Sequence, residues 1–238
     1  MMNPEKPVLV FDVIETIFSL EGLSKAFQSL GLPEHTKDLF FAQLLRDAFA
    51  VSATGTYVPF IDMARGTLEV VLTNFGVSST ASAIERILPV FGQLDAHPDV
   101  REALTLAKDR KMDVVFFTNG SKGNTEALIT RNALDELVDH VVSIDAIGQW
   151  KPKKTVYQEA VQSVGGETAR SAMIAAHAWD TNGAMNAGML AGWVRRQDSV
   201  YHPAMRKPGF NSDSLIELVD KMSEALPETQ RTESSQSR

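Results

Sequence analysis

The stretch LVFDVIETIF, Leu9–Phe18, begins as a strand and ends as something else. An apolar run leads into Asp12, and a second carboxylate, Glu15, follows three residues later within the same turn. A short run of branched and aromatic residues closed by a turn is the pattern of a strand buried on both faces. Two carboxylates brought toward one pocket repel each other unless cations divide them. The segment therefore raises a question of chemistry along with one of fold.

Working outward, similar runs recur at 112–120 (MDVVFFTNG), 139–145 (DHVVSID), 171–177 (SAMIAAH) and 190–196 (LAGWVRR). Amphipathic stretches at 99–110, 124–138 and 154–165 lie between them. Strands alternating with helices of this length predict an α/β protein, a Rossmann-like parallel sheet with helices on both faces. Residues 20–91 break the rhythm, with Leu20, Leu23, Phe27 and Leu30 at helical spacing and three further helical segments behind them. We read an all-helical cap inserted after the first strand, over the sheet edge where such folds bind ligands. The expected organisation is a core of 1–19 and 92–226, a cap of 20–91, and a polar tail, 227–238, expected to be disordered.

Composition narrows the function classes. The 238 residues carry a formal charge of −7 and no basic run, so nucleic acid is not an expected partner. The absence of cysteine removes disulfides, thiol catalysis and thiolate metal sites together. No run approaches the length of a membrane span, so no membrane partner is expected and a cytoplasmic protein is.

Polar residues stand at the predicted strand ends: Asp12 with Thr16, Thr118 with Asn119, Lys151 before Pro152, and His177 with Asp180 in AAHAWDTNGAMNAG. This ordered set, with a helical insert after its first member, resembles the haloacid dehalogenase superfamily and, within it, the hydrolytic L-2-haloacid dehalogenases. The resemblance implies that Asp12 is the nucleophile and Thr16 its turn threonine. It implies that Arg46 meets the halogen, Thr118 the substrate carboxylate and Asn119 the halide cradle. Lys151 and Tyr157 would surround the nucleophile, and Trp179 and Asp180, in the family's Ala-Trp-Asp signature, would stand at the substrate and halide site. Taken singly, an arginine on an amphipathic helix is usually a solvated face, and a lone histidine is usually a satisfied core side chain. Asp180 also reads as a helix cap.

The departures from the superfamily's pattern carry the functional reading. Its phosphatases place an acid two residues after the nucleophile, where this chain has Ile14, and a further acidic magnesium ligand where it has Ala175. An alkoxide leaving group needs a proton, whereas a halide does not. A pocket without those acids suits carbon–halogen cleavage, with no metal and no cofactor expected. Glu15 stands where the dehalogenases have glycine, and His177 where they have asparagine. We expect Asp12 to attack a short L-2-haloalkanoic acid and form an ester, with Asn119, Arg46 and a ring edge such as Phe60 receiving the halide. His177, oriented by Glu15, would activate the water that cleaves the ester; an imidazole's ordinary pKa of about 6.5 suits that role. The other readings are a magnesium-dependent phosphatase with a degenerate site and a silent module that binds small acids. Apolar excess in FFAQLL, 40–45, suggests a homodimer formed through the cap.

Overall fold

The computed structural model describes residues 7–226, so the 227–238 tail lies outside the described residues. Val8–Asp12 form β1, followed by α1 (Glu21–Gln28), α2 (Thr36–Ala53), α3 (Phe60–Asn74), α4 (Thr80–Ile87) and a 3-10 turn at Leu88–Gly92. The chain then runs through α5 (Val100–Asp109), β2 (Asp113–Thr118), α6 (Lys122–Arg131), β3 (His140–Ser143) and α7 (Lys154–Ser163). It ends with β4 (Ser171–Ala175), α8 (Ala178–Ala187), β5 (Leu190–Val194), β6 (Phe210–Ser212) and α9 (Leu215–Ala225).

The strands form one parallel sheet in the order β3-β2-β1-β4-β5-β6. Every residue of β1, β2 and β4 is buried, as expected of strands covered on both faces. The direction of winding reverses beside β1, which opens a crevice beyond the carboxyl ends of β1, β2 and β4. Asp12 closes β1, Thr118 closes β2, and His177 lies two residues past β4. Topology alone thus delivers three distant segments to one place.

The cap is built on helical stripes. Phe40, Leu44 and Ala48 of α2 recur every four residues and are buried, as are Ala64, Leu68, Val71 and Leu72 of α3. Phe27, Phe40 and Phe91 form a chain of tilted ring contacts from α1 to the turn that returns to the core. Trp150 donates from its indole to the carbonyl of Val58 at 2.9 Å, and Tyr57 bonds Asp145, so two links tie the cap to the core.

Four expectations need correction. The helix predicted over 124–138 stops at Arg131. Ala133 adopts a left-handed φ of 54°, and the Asn132 amide donates back to the carbonyls of Leu128 and Leu94, giving the chain an alternative to another helical turn. The strand predicted to reach 177 ends at Ala175, because His177 already stands at the N-terminal boundary of α8. The strand β6 was missed because Phe210–Ser212 contains one apolar residue; its pairing with β5 defines it. In 40–45, Phe40, Phe41 and Leu44 are buried, so the apolar surplus there fills the interior and does not form a dimer face.

Candidate active site

Asp12 reaches the crevice from the end of the central strand and is only 5% exposed. Its Oδ1 accepts from Lys151 Nζ at 2.7 Å and its Oδ2 from Thr16 Oγ1 at 2.7 Å. Thr16 in turn accepts from the Ala176 amide at 2.9 Å, which fastens the loop after β1 to the end of β4. Lys151 is fully buried and spends its remaining hydrogens on Asp180 Oδ2 at 2.7 Å and on the Phe117 carbonyl at 3.2 Å. Asp180 also accepts from the Tyr157 hydroxyl at 2.5 Å. Burial works against charge on Asp12, but Lys151 and then His177 outweigh it and hold the carboxyl well below the usual carboxylate range. Burial likewise opposes the Lys151 ammonium, and Asp12 and Asp180 keep it charged. Burial raises Asp180, as does the Asp12 charge opposite it, while Lys151 opposes the rise. Thr16, Tyr157 and Asp180 are fully buried and line no cavity described over Asp12, so they hold the carboxylate and ammonium in place from behind. A buried ion pair is poor evidence of stabilisation, so a fully desolvated acid–lysine–acid row points to chemical use.

The second carboxylate is accounted for by the imidazole. His177 Nε2 lies 2.7 Å from Glu15 Oε2, and its Nδ1 lies 3.7 Å from Asp12 Oδ2. That Nδ1 is buried and makes no hydrogen bond to the protein. The ring stacks on Trp179 at 5.3 Å and meets Phe41 at 6.1 Å on a tilt. The two acids do not confront each other bare: Lys151 serves Asp12 and His177 stands between Asp12 and Glu15. Glu15 has a φ of 67°, left-handed backbone that costs a non-glycine residue on the order of 1 kcal/mol. Glycine adopts that conformation freely, and here it is imposed on an acid.

One electrostatic expectation changes. His177 was read with an ordinary pKa near 6.5. Burial does oppose its charge, but the flanking carboxylates prevail and push it up to about 10. Glu15 acts through a direct bond and Asp12, at 3.7 Å, through its charge. The two carboxylates thus favour the protonated ring at neutral pH.

A cavity of about 20 Å³ lies over Asp12, bounded by Ile14, Phe41, Leu45, Phe60, Thr118, Asn119, His177 and Trp179. This is room for roughly one water. Four residues expected at the substrate, Phe60, Thr118, Asn119 and Trp179, line it. The Asn119 side-chain oxygen accepts from the Lys151 amide at 3.2 Å, which leaves its NH₂ as a donor. The Trp179 indole N–H is buried without a hydrogen-bond partner. Arg46 does not join them. Phe41 and Leu45, one turn apart on α2, face the cavity, and the next residue round the helix points away. The Arg46 guanidinium is exposed and paired with Asp47 at 2.7 Å. Phe41 and Leu45 were missed because an apolar residue on a cap helix looks the same whether it faces packing or a pocket. Among the described residues no group of three or more acidic or histidine side chains is arranged to hold a metal ion.

The fold and site together define a capped α/β protein with a carboxylate held ionised at the end of its central strand. Residues 7–188 match the family model of haloacid dehalogenase-like hydrolases, and the chain belongs to that family. It is 24% identical over 214 residues to the (S)-2-haloacid dehalogenase H-109 of Pseudomonas putida, covering 89% of this chain and 96% of that one. It is 20% identical over 217 residues to the haloacetate dehalogenase H-2 of Moraxella sp. strain B, covering 89% and 96%. Among solved structures it resembles the L-2-haloacid dehalogenase of Xanthobacter autotrophicus with chloropropionic acid covalently bound. That likeness has a TM-score of 0.84 at 19% identity and covers 91% of this chain and 98% of that one. Among the described residues no helix is long and apolar enough to cross a membrane.

Proposed function

We propose that this chain, in the cytoplasm, hydrolyses short L-2-haloalkanoic acids to 2-hydroxy acids of inverted configuration through an ester on Asp12. The observation that carries the reading is the pairing of a lysine-held, ionised Asp12 with a His177–Glu15 dyad 3.7 Å from its second oxygen. The relatives' names agree with it.

The reaction has two halves. An Asp12 oxygen attacks the carbon bearing the halogen; a carbon–oxygen bond forms as the carbon–halogen bond breaks, and halide leaves with the electron pair. Thr118 and the backbone behind it orient the substrate carboxylate. Asn119, the Trp179 N–H and the ring edges of Phe60 and Phe41 surround the departing halide. Esterification removes the Asp12 charge, so the imidazolium loses one of its two carboxylate neighbours, its proton affinity falls, and it releases its proton to solvent. The neutral ring then takes a proton from water as that water attacks the aspartyl carbonyl, and Glu15 stabilises the imidazolium so formed. The acyl–oxygen bond breaks, the hydroxy acid departs with a proton, and Asp12 is restored. The space over Asp12 holds about one water, and Ile14, Phe60 and Thr118 also border a cavity of about 300 Å³ beside it, which offers the substrate a way in. The phosphatase alternative asks for a proton donor where Ile14 offers a hydrocarbon. Self-association through the exposed Leu39, Ile61 and Val70 of α2 and α3 is a secondary part of this reading.

The test is halide release from (S)- and (R)-2-chloropropionate in EDTA, with the configuration of the lactate product determined. Turnover of the S isomer to R-lactate supports the reading. Activity confined to aryl phosphates with magnesium refutes it.

A further inference from the structure

The Glu15 carboxylate has two oxygens, and the dyad uses one. The other, Oε1, accepts from the side-chain amide of Gln197 at 2.8 Å. Gln197 lies 182 residues away, on the segment leaving β5. The main-chain carbonyl of the same glutamate is met by His97 Nε2 at 3.1 Å. His97 is itself anchored, its amide donating to the Ile17 carbonyl at 2.9 Å. Between these two contacts Arg196 pairs with Asp99 at 2.8 Å and reaches the Thr16 carbonyl at 3.4 Å. Asp99 also accepts from the Leu215 amide at 2.9 Å, tying the group to the start of α9.

The loop after β1 is thus braced from outside the pocket by two separate segments, and both grip Glu15. That matters because Glu15 sits in left-handed backbone, where a non-glycine residue holds its place only if its surroundings impose it. Glu15 also lies at the point where a small rotation would swing Oε2 away from His177. The chemical type of the brace is also informative. An amide fixes a carboxylate oxygen without cancelling its charge, whereas a lysine or arginine there would neutralise the acid that His177 depends on.

We propose that Gln197 and His97 are positioning residues for the Glu15–His177 dyad, one holding the carboxylate and the other the backbone that carries it. The proposal rests on the dyad's role as the base for ester hydrolysis. It assigns the two residues to the second half-reaction alone, since their side chains bond to Glu15 and neither lines the cavity over Asp12.

The experiment is a single turnover of the full chain with (S)-2-chloropropionate, at excess enzyme, quenched over time and read by intact mass for ester on Asp12. In Gln197→Leu and His97→Phe we expect ester formation at the wild-type rate and ester hydrolysis slowed roughly tenfold. His97→Gln keeps a donor of similar reach and is expected to restore hydrolysis. Gln197→Lys adds a cation against Glu15, and the acid limb of the hydrolysis step should move to lower pH. The charged or titratable groups facing the dyad in that variant are Asp12 and Lys151 in the pocket, Asp180 from α8, His97, Arg196 and the new lysine. His177→Asn serves as the reference. If it builds up ester while Gln197→Leu and His97→Phe do not, the brace is refuted and the base stands. If His177→Asn shows no ester and full turnover, the base and the brace fall together. Equal slowing of both half-reactions in the brace variants marks a general structural role and refutes the proposal.

Discussion

The charge state of His177 depends on Asp12, and Asp12→Asn tests that dependence without any substrate. Asparagine keeps the shape of the aspartyl side chain and removes its charge, as esterification does. The imidazole Nδ1 lies 3.7 Å from Asp12 Oδ2. At that separation a unit charge contributes about 1 kcal/mol with the screening of bulk water and about 4.5 kcal/mol at an effective dielectric of 20. At about 1.4 kcal/mol per pKa unit, this is a fall of roughly 1 to 3 units. His177, pushed up to about 10 in the resting pocket, should titrate between about 7 and 9 in Asp12→Asn. The assay is a pH titration of ring nitrogen shifts by NMR. His177 is picked out from the five histidines by the signal lost in His177→Asn. A His177 midpoint that does not move would refute the coupling, and with it the proposal that alkylation of Asp12 creates the base.

Glu15→Gln and His177→Asn should each accumulate the Asp12 ester, with hydrolysis slowed about 10²–10⁴-fold, as intact mass after mixing with chloropropionate would show; rapid full turnover by both removes the dyad from the reaction. The raised pKa of His177 also makes stability depend on pH. A group whose folded value lies above its unfolded value stabilises fully below about 6.5 and loses that contribution as pH rises through about 10. Urea unfolding should therefore weaken between those limits by about 5 kcal/mol at most, and His177→Asn should flatten that slope. Arg46→Ala should leave kcat/KM within about twofold, because an exposed ion pair with its neighbour contributes little and the guanidinium lines no part of the cavity over Asp12. A loss of two orders of magnitude would show instead that the arginine turns inward when the cap moves.

The sheet and the cap were legible because their signals are local. Runs such as 112–120 bury both faces, and stripes such as Phe40, Leu44 and Ala48 repeat with the helical period. The row Asp12, Lys151, Asp180 was legible for a related reason: charged residues at the ends of apolar strands have few places to go except the crevice. The Glu15–His177 contact was legible because both residues sit at positions fixed by the fold, and each departs from the resembled pattern in a complementary way. Arg46 was misplaced because its facing depends on helix phase, and a single residue of phase error turns a side chain through about 100°. His97 and Gln197 left no sequence signal, since a histidine in a loop and a glutamine after a strand acquire meaning only through tertiary contact. The pKa of His177 was likewise hidden, because it is set by two carboxylates whose distances no spacing rule supplies.

The central claim is that Asp12 attacks carbon and that water later attacks Asp12. A single turnover in oxygen-18 water, with enzyme in excess over (S)-2-chloropropionate, tests it directly. The prediction is that the first equivalent of label enters the Asp12 side chain and the product oxygen comes from the protein. Label found in the hydroxy acid on the first turnover, with none in Asp12, would contradict it.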